Sequence, residues 1–173
     1  YMEKYGTGLE EFAEIRAKAS RHAARNPLAL FRQEVTAQDV MQSTVVWPGV
    51  LHKLMACPPT CGAAAAILCS ESFAKRHGLK DGVLIVAQEM RTDSPSTFDG
   101  DDMMRVVGYD MTVATANAVY ESAGLGPQDI EVLALHDCFA QNELITYEGL
   151  GLCPEGGAQK FIADGDNTYG GRF

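Results

Sequence analysis

The sequence lacks an apolar run that could cross a bilayer, and it lacks an excess of basic residues. A membrane-spanning helix needs about 20 consecutive apolar residues, and no stretch of this chain approaches that length. Its 14 lysines and arginines are outnumbered by 23 acidic residues, giving a formal net charge of -9. Because nucleic-acid binding needs clustered basic residues, the balance argues against a nucleic-acid surface. An anionic ligand would need a local basic site.

The sequence also lacks the even cysteine spacing of a small disulfide-bonded secreted domain. Its five cysteines are scattered along the chain: Cys57, Cys61, Cys69, Cys138 and Cys153. An odd, scattered set favours a reducing compartment. Cys57 and Cys61 have no second pair at zinc-ligand spacing, so no metal site is predicted.

What is present is enough hydrophobic sequence, 46% of 173 residues, for one sizeable core. The pattern Thr7-x-x-Glu10 is typical of a capping box, and it predicts a helix that ends at Asn26-Pro27. This helix has acidic residues near its N-terminus and basic residues near its C-terminus, an arrangement that compensates the helix macrodipole. The alternative is that the basic residues form a face that binds a cofactor phosphate.

Apolar runs of strand length alternate with helical patterns along the rest of the chain. Strands are predicted at 63–69, 82–88 and 130–135, and helices at 36–41, 71–77, 113–123 and 139–150. Such alternation predicts an α/β fold with a partly parallel sheet. Residues 91–102 are predicted to form a loop, and the hydrophobic residues of 45–59 to divide between turns and short packed pieces.

His136 and Cys138 stand where a predicted buried strand gives way to a helix, the place where α/β proteins bind ligands. A helix N-terminus and a nearby histidine both favour a reactive thiolate, but most free cysteines are small buried hydrophobes, and position alone favours that interpretation for Cys138. His136 could be a general acid or base, a donor to an oxyanion, or a histidine bonded to backbone groups. Asp137 is expected to cap the following helix.

The other histidines and the glycine-rich C-terminal segment carry weaker signals. His22, His52 and His77 have no catalytic neighbours in sequence and are predicted to be surface or capping residues. The segment Asp164–Gly171 could cradle a ligand with backbone amides, but it matches no nucleotide-binding motif and is predicted to be a flexible loop.

Several strings of residues together resemble the thiolase domains of the sterol carrier protein x family. The most specific are His136-Asp-Cys-Phe139, Asn142-Glu143, Tyr147-Glu-Gly-Leu-Gly-Leu-Cys-Pro-Glu-Gly156 and Gly165-Asp-Asn-Thr-Tyr-Gly-Gly171. Further support comes from Met2-Glu-Lys-Tyr-Gly6, Gly62-Ala-Ala-Ala-Ala-Ile-Leu68, Ala87-Gln-Glu-Met90 and Val107-Gly-Tyr-Asp-Met111. The resemblance covers essentially the whole chain.

The resemblance implies an α/β thiolase fold built from two similar halves. Residues 1–61 would be part of the loop region and the end of the N-terminal half. Residues 62–173 would be the last strand of that half and part of the C-terminal half. The implied activity is cleavage of a 3-oxoacyl-coenzyme A by coenzyme A, without metal or redox cofactor, so that coenzyme A thioesters are substrates.

The resemblance also implies roles for two residues. His136 would help bind the thioester oxygen, and Cys138 would serve as acid and base. The family's nucleophilic cysteine would lie upstream of Tyr1 and its Gly-His-Pro segment downstream of Phe173, so the 173 residues would be inactive alone. Cys61 stands where relatives often carry aspartate, which puts the local hydrogen bonding in doubt.

Two other functions remain open from the sequence. One is a thiolase-fold retro-aldolase acting on sterol side chains with a small partner domain, and the other is a non-catalytic lipid-carrier or assembly subunit. The resemblance further implies a homodimer, a fused or separate sterol carrier domain, and a peroxisomal location, or a cytoplasmic one in a bacterium. No targeting tripeptide occurs at Gly171-Arg-Phe173.

Overall fold

Helices make up most of the regular structure of the chain. The computed structural model describes residues 1–173 and contains eight α-helices. They are α1 (Met2–Tyr5), α2 (Leu9–Ala24), α3 (Ala37–Gln42), α4 (Glu71–Arg76), α5 (Met103–Val106), α6 (Tyr109–Ala123), α7 (Ala140–Gly149) and α8 (Ala158–Ala163). Single turns of 3-10 helix form at Lys53–Met55, Pro95–Phe98 and Pro127–Asp129. No helix is long and apolar enough to cross a membrane.

Five of these helices confirm predictions from local sequence signals. Helix α3 begins after Thr36, whose side chain accepts a hydrogen bond from the Asp39 N–H, and α4 begins after Ser70 in the same way. Helix α6 ends at Gly124, which adopts a left-handed conformation with φ 66°. Helices α2 and α7 also form where the apolar spacing predicts them.

The start of α2 differs in detail from the predicted capping box. The residue at the N-cap is Gly8, and its N–H donates to the Glu11 carboxylate at 3.0 Å. Thr7 is instead buried, and its hydroxyl has no hydrogen-bond partner. The prediction of Thr7 and Glu10 as the capping pair is therefore wrong by one residue, because Glu11 reaches back to the chain from the third helical position.

The sheet is a two-stranded antiparallel hairpin formed by β1 (Val45–Trp47) and β2 (Leu51–His52). Val45 pairs with His52 and Trp47 with Leu51, with an irregularity in register between them. This confirms that the hydrophobic residues of this region divide between turns and short pieces. All three residues of β1 are exposed.

The three predicted strands at 63–69, 82–88 and 130–135 are wrong as strands, since none belongs to a hydrogen-bonded ladder. A strand exists only when a neighbouring strand pairs with its backbone, and no other part of the chain does so here. The first two segments leave their apolar side chains exposed, as with Val83 at 95% exposed. In the third, Leu133 and Leu135 pack on the core while Val132 faces solvent, which keeps the two-residue period of a strand.

The core is assembled from the two ends of the chain. Its eleven buried residues are Phe12, Ala13, Ile15, Val40, Met55, Ala140, Leu144, Tyr147, Leu152, Ala158 and Phe161. None of them lies between residues 56 and 139. Helix α2 contacts both α7 and α8, and the Tyr1 hydroxyl donates to Glu148, so the N-terminal region and the C-terminal region form one packed unit.

We expect Ile15→Ala to lower the free energy of unfolding by about 3 kcal/mol, because Ile15 is 1% exposed and its removal leaves a cavity in the core. The matched control is Ile67→Ala, because Ile67 is 96% exposed and should change stability by less than about 0.5 kcal/mol. Urea denaturation of both variants measures the difference. Equal losses would contradict this description of the core.

Candidate functional site

The His136–Cys138 turn is the segment of the chain that leads into the N-terminus of α7. Phe139 is the N-cap of the helix, with extended backbone, and its carbonyl accepts from the Asn142 and Glu143 N–H groups at 2.9 and 3.2 Å. Cys138 therefore lies one residue before the N-cap of the helix. The positive end of the helix dipole points toward this turn, which favours negative charge there.

Two hydrogen bonds hold the backbone of the turn. The Asn142 side-chain amide donates from Nδ2 to the His136 carbonyl at 3.1 Å. The Cys57 N–H donates to the Cys138 carbonyl at 2.9 Å, beside an antiparallel bridge between Ala56 and Phe139. The His136–Cys138 turn is thereby fixed both to α7, through Asn142, and to the segment around Cys57.

His136 and Cys138 stand two residues apart in the segment that leads into α7, and the chain bends at Cys138. His136 is exposed, and Cys138 is half-buried with a free thiol. This arrangement offers a histidine and a thiol together at a helix N-terminus. It can supply a hydrogen-bond donor and a proton to a bound ligand.

The predicted role of Asp137 as a helix cap is wrong, because α7 has no side-chain cap. Its side chain lines a cavity of about 560 Å³ together with Lys18, Glu143 and Tyr147. His136 and Cys138 do not line this cavity.

A buried polar network forms the inner wall of the cavity. The Glu143 side chain is 3% exposed and pairs with the Lys18 ammonium, which is 12% exposed. Glu143 also accepts from the Tyr147 hydroxyl, and Asn167 donates to that hydroxyl at 3.0 Å. The network joins α2, α7 and the C-terminal loop. Sequence reasoning missed it because Lys18 and Glu143 are far apart in the chain and each fits an ordinary helix pattern.

The network changes the acidity of the groups in it. Although much of Asp137 is open to solvent, desolvation by the surrounding protein and then the neighbouring Glu143 carboxylate raise the pKa of Asp137 to about 6. Burial, followed by the negative charge of Glu143, raises the pKa of Tyr147. Both groups are thus held in their neutral forms over a wider pH range than usual.

The other histidines fall in different environments. His22 is half-buried, with its Nε2 2.9 Å from the Thr168 hydroxyl and its ring 4.3 Å from that of Tyr169. His52 is buried, with Nδ1 3.2 Å from the Ser43 carbonyl, so its prediction as a surface residue is wrong. It stands at the N-cap of the Lys53–Met55 turn, without a side-chain capping bond. His77 follows α4 and is exposed, as predicted.

The C-terminal segment 164–171 is fastened to the core instead of standing free. The Asp166 N–H donates to the Phe161 carbonyl at 3.1 Å, and the Phe173 N–H donates to the Asp166 carbonyl at 3.0 Å. With the Asn167 bond to Tyr147 these contacts place the glycine-rich segment over the cavity. Gly170 and Gly171 are among the residues that line it.

The fold and the His-Asp-Cys-Phe turn define the class of protein. Residues 95–173 match the family described as Thiolase C-terminal domain-like. The whole chain aligns with thiolase-like proteins and resembles the thiolase half of the sterol carrier relatives. Its helices and small sheet agree with a segment of the α/β thiolase fold.

Individual proteins are similar to this chain over almost its whole length. Sterol carrier protein 2 of Bos taurus is 51% identical over 174 aligned residues, which cover 100% of this chain and 32% of that protein. The benzoylsuccinyl-CoA thiolase subunit BbsB of Thauera aromatica is 37% identical, covering 99% of this chain and 43% of the relative. The chain thus spans about a third of the length of the sterol carrier relatives it matches.

A solved structure, the Ltp2-ChsH2(DUF35) aldolase, has a TM-score of 0.80 to the chain at 27% identity. The match covers 99% of this chain and 45% of that one. The resemblance inferred from the sequence motifs is therefore confirmed, and so is the α/β thiolase fold class. The roles of His136 and Cys138 stay predictions.

We expect Lys18→Met to lower the free energy of unfolding by about 3 kcal/mol, because it leaves the Glu143 carboxylate buried without a counter-charge. The double variant K18M/E143L should recover much of the loss, since it removes both charges. Thermal and urea unfolding measure these changes.

The matched control is Lys160→Met, which breaks an exposed ion pair with Asp164 and should cause no measurable loss. If the double variant were as unstable as K18M, the buried charge would not be the cause.

The raised pKa of Asp137 predicts a pH dependence of stability. Its pKa in the folded chain, about 6, lies above the unfolded value of about 4. The contribution of Asp137 is therefore fully present below about pH 4 and is lost as the pH rises through about 6. We expect Asp137→Asn to remove this titration, so that its stability relative to the native chain increases from about pH 4 to about pH 7.

Chemical denaturation at a series of pH values measures this difference. Asp93→Asn, in the exposed loop, should leave the pH profile unchanged. A constant offset between D137N and the native chain at every pH would show that Asp137 does not titrate differently in the folded state.

Proposed function

We propose that the chain is part of a thiolase-type acyltransferase that cleaves a 3-oxoacyl-coenzyme A with coenzyme A. The observation that supports the proposal is that His136 and Cys138 directly precede the N-terminus of α7, in a region that matches the thiolase C-terminal domain-like family. Relatives named as a thiolase subunit and as an acetyl-CoA acetyltransferase support it. The products are a shortened acyl-coenzyme A and acetyl- or propionyl-coenzyme A.

The chemistry requires two groups at one place. Breaking the bond between the α and β carbons of a 3-oxoacyl thioester leaves an enolate, whose oxygen needs a hydrogen-bond donor and whose carbon needs a proton. In the proposal His136 donates to the thioester oxygen and Cys138 gives the proton. Coenzyme A accepts the acyl group that leaves the family's nucleophilic cysteine. The reaction involves no net oxidation or reduction. The proposed mechanism uses neither a redox cofactor nor a metal.

A retro-aldolase is the second candidate, favoured by the 0.80 TM-score to a structure titled as an aldolase. Carbon-carbon cleavage in that reaction releases an enolate of the same kind, so His136 would act on the same oxygen. The difference lies at the β-carbon, which bears a hydroxyl that loses its proton and becomes a carbonyl as the carbon-carbon bond breaks, so no nucleophile adds there and no coenzyme A is consumed.

A lipid carrier without catalysis is the third candidate, favoured by the name of the relatives that are about half identical to this chain. We further propose a homodimer, a fused or separate sterol carrier domain, and a peroxisomal location in a eukaryotic host. In a bacterium the location would be cytoplasmic.

Activity assays of the full-length protein that contains this chain test the catalytic roles. We expect Cys138→Ala to lower kcat for thiolysis by about 10²–10⁴-fold, because it removes the proton donor. His136→Ala should lower kcat by about 10²–10³-fold, because it removes an oxyanion donor. Cys61→Ser is the matched control, since Cys61 is exposed and lies outside the turn.

The products distinguish the three candidates. Consumption of coenzyme A with release of a shortened acyl-coenzyme A supports the acyltransferase. Cleavage of a 3-hydroxyacyl substrate to a ketone without coenzyme A supports the retro-aldolase. A protein that binds fatty acyl-coenzyme A but cleaves neither substrate supports the carrier, and an unchanged rate in C138A would refute the role of Cys138.

A further inference from the structure

Two cysteines far apart in sequence meet at the turn. Ala56 and Phe139 form an antiparallel bridge, and the Cys57 N–H donates to the Cys138 carbonyl at 2.9 Å. In an antiparallel pair, the residue after one member of a pair lies opposite the residue before the other member. Cys57 therefore lies directly opposite Cys138.

This register suits a disulfide bond. Residues directly opposite each other at a hydrogen-bonded position have α-carbons about 5.5 Å apart and side chains on the same face. Disulfides join α-carbons about 4.4–6.8 Å apart, with about 5.5–6 Å the commonest separation. The β-carbons of such a pair lie about 5.5 Å apart, so they must approach each other by about 1–2 Å for the sulfurs to bond.

The remaining cysteines have no comparable partner. Cys61 and Cys69 lie in the exposed segment that belongs to no ladder. Cys153 is half-buried after α7, where burial and then the Glu148 carboxylate raise the pKa of its thiol to about 12. A thiol held protonated in this way is a poor nucleophile.

We propose that Cys57 and Cys138 are a reversible oxidation site, at which a peroxide converts the two thiols to a disulfide. Cys57 is exposed and Cys138 is half-buried with a free thiol, so a small oxidant reaches the pair from the Cys57 side. The consequence for catalysis rests on the proposed function, because it requires Cys138 to be the proton donor. The formation of the bond does not.

The reaction balances in two steps. One thiol loses its proton and attacks hydrogen peroxide, which gives a sulfenic acid and one water. The other thiol then attacks the sulfenic sulfur, forming the sulfur-sulfur bond and releasing a second water. Two electrons, one from each sulfur, reduce the peroxide, and both thiol protons leave in water. A dithiol reductant reverses the oxidation by exchange.

The bond would switch off the site without unfolding it. Cys138 in the disulfide has no proton to give, and its side chain is held toward Cys57 and away from a substrate on the His136 side. Because the backbone of the two cysteines is already paired, oxidation fixes a contact that the reduced chain makes in any case.

Mass spectrometry of the oxidised chain tests the site directly. The variant C61S/C69S/C153A keeps Cys57 in the tryptic peptide 54–75 and Cys138 in the peptide 106–160. After one equivalent of hydrogen peroxide and blocking of free thiols, we expect the two peptides to be joined, and dithiothreitol to separate them. The matched control C57S/C69S/C153A keeps Cys61 instead and should give at least tenfold less of the joined product.

In the native chain the same treatment should lower the free thiols from five to three. Fragmentation of the joined peptides should place the bond at Cys57 and Cys138. Equal crosslinking of Cys61 and Cys138 in the control, or a bond placed at Cys61 or Cys69 in the native chain, would overturn the proposal.

Activity of the full-length protein separates this proposal from the catalytic one. We expect peroxide to lower thiolysis at least tenfold, dithiothreitol to restore it, and Cys57→Ser to resist this reversible loss. If the crosslink forms but thiolysis continues at its original rate, the disulfide stands and the role of Cys138 fails. If the crosslink does not form, the oxidation site fails while thiolysis by the reduced protein still supports the catalytic role.

Discussion

The buried ion pair of Lys18 and Glu143 is the interaction on which the rest of the arrangement depends. Two charges removed from water are tolerated only when each compensates the other and their remaining hydrogen-bonding positions are filled. Tyr147 fills one position on Glu143, and Asn167 supports Tyr147 in turn. Because Lys18 is on α2 and Glu143 is on α7, the pair fixes the orientation of the helix whose N-terminus receives the His136–Cys138 turn.

Neighbouring residues of this turn have different surroundings. Asp137 lines the cavity beside the buried network, His136 is exposed, and Cys138 is half-buried. The backbone carbonyls of His136 and Cys138 accept hydrogen bonds from Asn142 and Cys57. The hydrogen bond that holds the Cys138 carbonyl also sets the backbone of Cys57 beside that of Cys138.

Helices were predictable from the sequence because their hydrogen bonds, caps and apolar spacing are local, as Thr36, Ser70 and Gly124 show. The strands were not, since a strand needs a partner and the apolar segments at 63–69 and 82–88 have none within the chain. The position of His136 and Cys138 before α7 followed from local signals. Their neighbours did not, because Lys18 and Cys57 reach the turn only through contacts between distant parts of the chain.

The origin of the core in the two ends of the sequence has a consequence for folding. Phe12 and Leu144 can meet only after more than a hundred intervening residues have been closed into a loop. Core formation therefore depends on contacts between residues distant in sequence and is slow compared with helix formation. The cost of closing such a loop grows only with the logarithm of its length, about 0.6 kcal/mol for each doubling. The segment 57–93, which is almost entirely exposed, can therefore be lengthened or exchanged at small cost to the stability of the folded ends.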